Sequence, residues 1–354
     1  MNSTRDGDCS SAEEISRNPT VMAAHSSIIL CNSCSLVLLG VYMVVQLRSK
    51  EVHLNVRALR VNISVGIMLR NLFTLYRSGS HLFAAFTVSD PCSFRVDKRS
   101  CSIESIIGRQ PLSAAMIGLD ISTVERLAAT IFYKKYETFN SIFVTVLICA
   151  IPWIYIIVIS APSIIKNFSA PSELLDYCNP LNSAGINFTA ALSMTFISTA
   201  AAILITIGLY FVNREFKNFR KRNSKNSLKH NYLSEEFQRR ENVQITKEIA
   251  FQMTGLMIAF LTTFYVGYRI SWALVNKEFK SMVDFVATQE FSTLVFGIYG
   301  VMHPILGVGT NGEQRKRFIQ ILTLNRCSRM SRSSHVAPLP TQEDYFKFYS
   351  SQWN

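Results

Sequence analysis

Charged residues are scarce in this sequence. Asp, Glu, Lys and Arg together make up 17% of the chain, whereas soluble domains average about 25%. Apolar residues make up 49%, and they come in long blocks rather than in periodic stripes. Blocks of this kind are typical of helices that face lipid, so the composition argues against an ordinary soluble protein.

Motifs of enzymes, channels and transporters are also absent. The sequence contains no P-loop, no HExxH and no GxSxG. It shows no selectivity-filter sequence and no inverted repeat. The first 22 residues are polar, and the apolar block after them is too long for a signal-peptide core, so we expect no cleavable signal peptide. We predict a protein that is not an enzyme and uses no metal and no cofactor.

Seven apolar blocks are long enough to cross about 30 Å of hydrocarbon. We call them spans one to seven, and they cover residues 23–46, 58–80, 104–131, 141–165, 187–212, 249–273 and 286–308. The sequence therefore predicts an all-α membrane protein with a seven-transmembrane helix bundle at 23–308. An amino-terminal tail, 1–22, precedes the bundle, and a carboxyl-terminal tail, 309–354, follows it.

The distribution of Lys and Arg predicts the orientation. The loops on one side of the spans, including the carboxyl-terminal tail, hold 22 of these residues, and the loops on the other side hold 8. Positive loops stay in the cytoplasm, so we expect the amino terminus outside and the carboxyl terminus inside. The net charge of +12 mostly reflects this asymmetry. It suits the anionic inner leaflet of the bilayer and does not indicate a nucleic-acid partner.

Four of the eight cysteines fall on the predicted outer side, where disulfides persist. A bridge between Cys101 and Cys178 would tie the loop after span four over the mouth of the bundle. A bridge between Cys92 and Cys101 would instead close a short loop. We favour Cys101–Cys178, which leaves Cys9 to pair with Cys92.

Glycosylation is predicted at two sequons on the outer side. Asn2 begins "NST" and Asn167 begins "NFS". Both assignments depend on the orientation given above.

Span three carries the richest set of charges inside the predicted bundle. Glu125 and Arg126 lie near its cytoplasmic end, where Arg126 could snorkel to the headgroups or pair with acidic groups. Asp120 lies six residues deeper and needs a partner. We propose a polar network of Asp120 with Arg70 and Asn71 of span two, with an Asp120–Arg70 pair. This network could hold the two helices in register or take part in switching.

A ligand pocket is predicted in the outer half of the bundle, with polar anchors and aromatic walls. Its candidate residues come from spans three, six and seven: Arg109, Tyr268, Arg269, Trp272 and Glu290. The arginines would favour an acidic or carbonyl-bearing ligand. The alternative is that Arg109 and Glu290 form an internal ion pair.

Span seven ends in "YGVMHPILGVG". Pro304 removes a backbone hydrogen bond and predicts a kink, whereas the glycines around it let neighbouring helices approach closely. We interpret His303 as a packed polar residue rather than a metal ligand. Before span six, "SEEFQRRENVQITKE" is rich in helix formers and predicts that this span extends into the cytoplasm. After span seven, "NGEQRKRFIQILTLNRC" predicts a short amphipathic helix on the inner leaflet.

These features resemble G-protein-coupled receptors. Cys101 and Arg126 are 25 positions apart, as in rhodopsin-like receptors. Glu125–Arg126 resembles their Asp/Glu-Arg-Tyr element, with Leu127 in place of Tyr. His303–Pro304 resembles their Asn-Pro element, and Gly307 stands where the usual Tyr would fall. The resemblance implies an inner switch formed by Glu125, Arg126, His303 and Pro304.

A closer resemblance is to nematode serpentine chemoreceptors of the Sra superfamily, and the alpha/beta class is favoured. "ERLAATIFYKKYE" is similar to their Glu-Arg…Ala-Thr…Tyr-Glu element. "LSEEFQRRENV" is similar to their Leu-Ser…Tyr-Gln…Glu-Asn element, with Phe237 in place of Tyr. The resemblance covers about 23–325. It implies a multi-pass plasma-membrane receptor of a sensory neuron or cilium, a small-molecule ligand and a heterotrimeric G protein.

Two functions follow from these observations. The first is a chemosensory receptor that detects a small external cue and activates a G protein. The second is a membrane transporter or ligand-gated channel, in which Arg70, Asp120 and Glu290 line a conduction path.

Overall fold

The computed structural model describes residues 9–49, 52–132, 141–168, 173–178, 187–223, 230–276 and 281–323. Seven long helices and two short ones lie in these ranges. They are α1 (Ser10–Arg17), α2 (Pro19–Arg48), α3 (Leu54–Thr87), α4 (Lys98–Ile131), α5 (Ile142–Phe168), α6 (Asn187–Asn223), α7 (His230–Val275), α8 (Met282–Gly309) and α9 (Gly312–Leu322). Strands β1 (Val96–Asp97) and β2 (Leu174–Leu175) pair in antiparallel orientation.

Helices α2 to α8 correspond in order to the seven predicted spans, which confirms the all-α seven-transmembrane fold. Within the described ranges, five of them, α2, α5, α6, α7 and α8, contain stretches long and apolar enough to cross a membrane. Arginines and other charged residues lower the hydropathy of α3 and α4 below that standard. These two helices can lie in a bilayer only if the bundle encloses their charges.

Helices α7 and α4 both extend beyond the apolar blocks that predicted them. Helix α7 is continuous over 46 residues from His230 to Val275, which confirms that span six extends before its apolar block. Helix α4 begins at Lys98 and passes through Pro111 without ending. Opposite Pro111 stands Gly66 of α3, where an added Cβ would lie 2.6 Å from the Pro111 carbonyl oxygen. The absent side chain therefore lets α3 and α4 approach closely.

The long helices form a closed bundle. Helix α2 packs on α3, α3 on α4, α6 on α7 and α7 on α8, and α8 returns to pack on α2. Helix α4 also contacts α5, α6 and α7, so it occupies the centre. Consecutive helices alternate in direction, which places the cysteine-bearing loops together at one end of the bundle. We call this the disulfide end, and the other the opposite end.

An apolar core fills the centre of the bundle. Leu39, Ile67 and Leu119 come from α2, α3 and α4, and they pack with Met253 and Leu256 of α7. Large apolar side chains also cover the outer surface. On α5, for example, Ile154, Ile157 and Val158 are more than half exposed. An apolar surface around a packed core is the arrangement that lipid requires.

Helices α2 and α8 approach closely because glycines of α8 face polar groups. A Cβ at Gly300 would lie 2.3 Å from Ser35 Oγ and 2.7 Å from Asn71 Nδ2. A Cβ at Gly297 would lie 3.2 Å from Asn32 Nδ2. The small residues of span seven therefore serve close packing, and α8 itself continues past Pro304 to Gly309.

Two disulfides join the segments at the disulfide end. Cys101 pairs with Cys178 and Cys9 pairs with Cys92, so both favoured pairings are confirmed. Part of the predicted amino-terminal tail is ordered as α1, whose Ile15 packs against Tyr177 and Val286. The predicted sequon Asn2 lies outside the described residues. Asn167 lies in the last turn of α5, and glycosylation at both stays a prediction.

Helix α9 confirms the amphipathic helix expected after span seven. Phe318 is buried against Tyr42, Val45 and Val308, which fixes α9 to the opposite end of the bundle. Ile319, on another face of the helix, is 50% exposed. An exposed apolar residue beside basic ones suits contact with a lipid surface.

The close approach of α2 and α8 predicts how the bundle responds to one added methyl group. Gly300→Ala should lower the free energy of unfolding by about 1–3 kcal/mol, because the methyl group has no space between Ser35 and Asn71. The measurement is thermal unfolding of the purified protein in detergent. Gly40→Ala is the matched control, since a Cβ at Gly40 meets nothing within 4 Å. Equal stability of the two variants would contradict the packing described here.

Candidate functional site

Arg126 joins α4 to α7 near the opposite end of the bundle. Its guanidinium donates two hydrogen bonds of 2.5 Å to the carboxylate of Glu125 and one of 2.8 Å to Asn242 Oδ1. Arg126 is 2% exposed, so the snorkelling alternative is wrong and the pairing alternative is confirmed. The motif expected to form the inner switch therefore holds two helices together.

His303 and Pro304 lie across from this contact on α8. The ring of His303 is buried, with Nδ1 3.0 Å from the hydroxyl of Tyr299, which agrees with a packed polar residue. The described residues contain no cluster of His, Cys, Asp and Glu suited to a metal. Gly307 stands beside Tyr42 of α2, whose hydroxyl would lie 2.8 Å from an added Cβ. A tyrosine side chain from α2 thus fills the place left by the missing side chain at 307.

An ion pair that the sequence reasoning missed links α3 to α7. Arg60 donates a 2.5 Å hydrogen bond to Glu248, and both side chains are almost completely buried. Arg60 also donates to Gln46 of α2 at 3.0 Å, and Glu248 accepts from Tyr42 at 3.2 Å. A charged residue inside an apolar block needs a partner. The position of Arg60 within span two was therefore a signal that an acidic residue such as Glu248 lies beside it.

The same contacts reach α8 and α9. Gln46 donates at 3.1 Å to Gln314 of α9. Gln252 of α7 lies 3.5 Å from the carbonyl oxygen of His303, to which it donates. We call this set the hub: Tyr42, Gln46, Arg60, Glu248, Gln252 and Gln314. The hub connects α2, α3, α7, α8 and α9 through hydrogen bonds, so displacing any one of these helices breaks bonds to others.

A small cavity lies between residues of the hub and Glu125, the carboxylate that pairs with Arg126. Its volume is about 10 Å³, and Arg60, Glu125 and Gln252 are among the residues that line it. This space suffices for at most one water molecule. The Arg60–Glu248 pair, which holds α7 to α3, therefore lies close to Glu125 of α4.

The predicted Asp120–Arg70 pair is wrong. Arg70 donates to Asn32 and Asn71 at 3.2 Å and to the carbonyl oxygen of Thr293 at 3.1 Å. The Arg70–Asn71 part of the network is thus present, and it joins α3 to α2 and α8. Asp120 faces α6 instead, where Ser198 donates to it at 3.1 Å. Asp120 and Arg70 lie at a similar depth in the bundle but do not touch, because Asp120 faces α6 whereas Arg70 faces α2 and α8.

Glu290 lies in a cluster of polar and aromatic side chains at the disulfide end. It forms an ion pair with Arg77 of α3 and accepts a 2.8 Å hydrogen bond from Tyr177. The alternative Arg109–Glu290 pair is therefore wrong. Arg109 donates to the carbonyl oxygen of Ser105 in its own helix. We call the group of His25, Ser78, Arg77, His81, Tyr177 and Glu290 the Tyr177 cluster.

The other predicted pocket residues do not join Glu290. Tyr268 and Trp272 of α7 pack against each other, with ring centroids 6.4 Å apart, and both are about half exposed. Arg269, between them, is also exposed. Glu290 is completely buried, so a pocket that includes all of these residues requires an arrangement other than the one described.

The contribution of the hub ion pair can be measured by removing its charges singly and together. Glu248→Gln should destabilise the protein by about 3–5 kcal/mol, because it leaves Arg60 buried without its counter-charge. The double variant Arg60→Gln with Glu248→Gln should recover most of that loss. Thermal unfolding in detergent of wild type, the single variants Arg60→Gln and Glu248→Gln, and the double variant gives the coupling energy. Additive effects of the two substitutions would contradict a direct pair.

Two comparisons with known proteins bear on this geometry. The family model "Serpentine type 7TM GPCR receptor class ab chemoreceptor" matches residues 6–354 of the chain. Serpentine receptor class alpha/beta-14 of Caenorhabditis elegans is 26% identical over 281 residues, which cover 78% of this chain and 70% of that protein. The family-model match extends over all seven long helices, both disulfides and the residues Glu125, Arg126 and Asn242. The chain belongs to the class ab family of serpentine seven-transmembrane chemoreceptors, a family of G-protein-coupled receptors.

Proposed function

We propose that this receptor detects a small external cue at its disulfide end and activates a heterotrimeric G protein at its opposite end. The observation that carries the proposal is the bond between Arg126 of α4 and Asn242 of α7. It holds the two helices together where a cytoplasmic partner would bind. Family membership supports a chemosensory receptor, and the contact supplies a place at which signalling can be controlled.

Movement of α7 provides the switch in this proposal. Two contacts hold the helix at the opposite end, Arg126–Asn242 to α4 and Arg60–Glu248 to α3. Displacing α7 from the bundle breaks both and exposes the polar groups of the hub. A ligand that binds the displaced arrangement more tightly shifts the population toward it. The G protein then docks against the newly exposed ends of the helices.

The orientation and location in this proposal agree with the positions of the disulfides and charges. Disulfides persist outside the cytosol, and both lie at the disulfide end. The loops rich in Lys and Arg leave the opposite end, as cytoplasmic loops do. We therefore place the amino terminus outside, the carboxyl terminus inside, and the receptor in the plasma membrane of a sensory cell.

The ligand site belongs at the disulfide end in the same proposal. Glu290 and the residues around it form the buried polar part, and Arg109, Tyr268, Arg269 and Trp272 remain candidates for outer walls. The alternative function, a transporter or ligand-gated channel, required Arg70, Asp120 and Glu290 to share a path. Each of the three has separate partners. Arg70 donates to Asn32 and to the carbonyl oxygen of Thr293. Asp120 accepts from Ser198, and Glu290 pairs with Arg77. The contacts therefore favour a receptor.

Arg126→Ala should abolish signalling while the receptor still reaches the cell surface. The substitution releases α7, as loss of Asn242 would, but it also removes the guanidinium that the displaced α7 exposes to the G protein in this proposal, so docking fails. The measurement is a cue-evoked cAMP or calcium response in cells with defined G proteins, alongside surface labelling of the receptor. A normal response in the variant would exclude this role for Arg126. Currents or uptake in liposomes that hold purified receptor alone would favour the alternative function.

Asn242→Ala should have the opposite effect and raise the basal signal. It releases α7 from Arg126 but leaves the Glu125–Arg126 pair intact. A hydrogen bond to a charged group is worth about 1.5–3 kcal/mol, so the active population should rise roughly tenfold or more. Asn213→Ala is the matched control, since it removes an asparagine that donates to Thr130 in a hydrogen bond between α6 and α4. An equal basal signal in the two variants would exclude the α7 tether.

A further inference from the structure

A short external segment inserts one tyrosine into the bundle at the disulfide end. Residues 173–178 are held by the ladder of β1 and β2 and by the disulfide from Cys178 to Cys101. Tyr177 immediately precedes that cysteine and is 5% exposed. Its side chain reaches α2, α3 and α8. A loop thus places a buried aromatic group among the helices without being part of any of them.

The hydroxyl of Tyr177 has a full set of polar partners. It donates to Glu290 Oε1 at 2.8 Å and lies 3.2 Å from Nε2 of His25. Nδ1 of His25 lies 3.3 Å from the hydroxyl of Ser78. One arrangement of protons satisfies all three contacts: Ser78 donates to His25, His25 donates to Tyr177, and Tyr177 donates to Glu290. The site therefore recognises a hydroxyl that both donates and accepts.

The ring of Tyr177 lies against a stack of imidazoles. Its centroid is 5.2 Å from that of His81, with an interplanar angle of 30°. The rings of His81 and His25 are 4.9 Å apart and nearly parallel. Flat rings at these distances favour an aromatic group over an aliphatic one. The aromatic stack and the hydroxyl site together match one chemical class, a phenol.

The acceptor in this site is connected to the rest of the bundle. The other oxygen of Glu290 pairs with Arg77 of α3. Seven residues along α3, Arg70 binds the carbonyl oxygen of Thr293, which lies three residues beyond Glu290 on α8. A change in the group that Glu290 binds would therefore alter the contact between α3 and α8. Arg60 on the same α3 carries the ion pair to α7.

We infer that the Tyr177 cluster is a binding site for small hydroxyaryl compounds, and that Tyr177 occupies it as a tethered competitor in the absence of the cue. The inference rests on the proposed receptor function. An external phenol places its ring against His81 and its hydroxyl on Glu290, and it displaces the side chain of Tyr177, while the Cys101–Cys178 disulfide keeps the segment attached to α4. Because Tyr177 lies outside the helices, moving its side chain breaks no helical hydrogen bond.

The test uses p-cresol, which has the chemical structure of the tyrosine side chain. Full-length purified Tyr177→Ala receptor should gain thermal stability from p-cresol at concentrations about tenfold or more below those needed for toluene, which lacks the hydroxyl. Cyclohexanol, which lacks the aromatic ring, should also bind more weakly than p-cresol. Equal binding of p-cresol and toluene would overturn the inference.

Competition by Tyr177 is tested in cells with Tyr177→Phe, which retains the ring and removes only the hydroxyl. While Tyr177 occupies the site, p-cresol can bind only the fraction of receptor in which the site is free. The apparent affinity for p-cresol is lowered accordingly. The half-maximal p-cresol concentration for the cAMP or calcium response should therefore fall about tenfold from wild type to Tyr177→Phe. Tyr155→Ala is the control, since Tyr155 is 54% exposed on α5, and it should respond like wild type. An unchanged half-maximal concentration in Tyr177→Phe would overturn the inference, including where Tyr177→Ala does not fold.

The two proposals fail in different ways. Binding of p-cresol to purified receptor without any second-messenger response supports the hydroxyaryl site and counts against G-protein signalling. Responses to other cues, without p-cresol binding to any variant, overturn the hydroxyaryl site and leave the receptor function standing.

Discussion

Inside hydrocarbon, a charged side chain is stable only beside protein groups that replace the water it has lost. Three arginines of α3 impose this constraint on the bundle, Arg60 and Arg70 buried and Arg77 partly buried. Arg60 finds Glu248 on α7, Arg70 finds Asn32 and a carbonyl oxygen of α8, and Arg77 finds Glu290 on α8. The three arginines therefore fix α3 to its neighbours at three depths, Arg60 to α7, Arg70 to α2 and α8, and Arg77 to α8. The side chains of α3, a helix with a weak apolar signal, thus organise the helices around it.

The same constraint explains what the sequence could predict. The seven spans follow from apolar length, and the disulfides follow from cysteines on one side of those spans. The Arg126–Glu125 pair follows from adjacent opposite charges, and α9 follows from its amphipathic pattern. These features depend on position along the chain, which the sequence states directly.

Features that depend on the rotation of each helix about its axis were not predictable in the same way. Asp120 and Arg70 stand at similar depth, yet one faces α6 and the other α2 and α8. Glu248 lay just outside the apolar block of span six, in the stretch expected to extend this span, and no sequence pattern assigned it a partner on α3. Tyr177 lay in a loop whose path is fixed by a disulfide and a two-residue ladder. Depth can be counted from sequence, whereas the facing side of a helix emerges only from packing.

The length of α7 gives it a mechanical property. At 1.5 Å per residue, 46 residues span about 69 Å, more than twice the hydrocarbon thickness of about 30 Å. Asn242 lies 12 residues from the first residue of the helix, or about 18 Å. If α7 tilts as a rigid rod about Asn242, a tilt of roughly 10° sweeps its first turn sideways by about 3 Å. Helix α7 therefore acts as a lever arm that amplifies small rotations inside the bundle into larger excursions at its first turn.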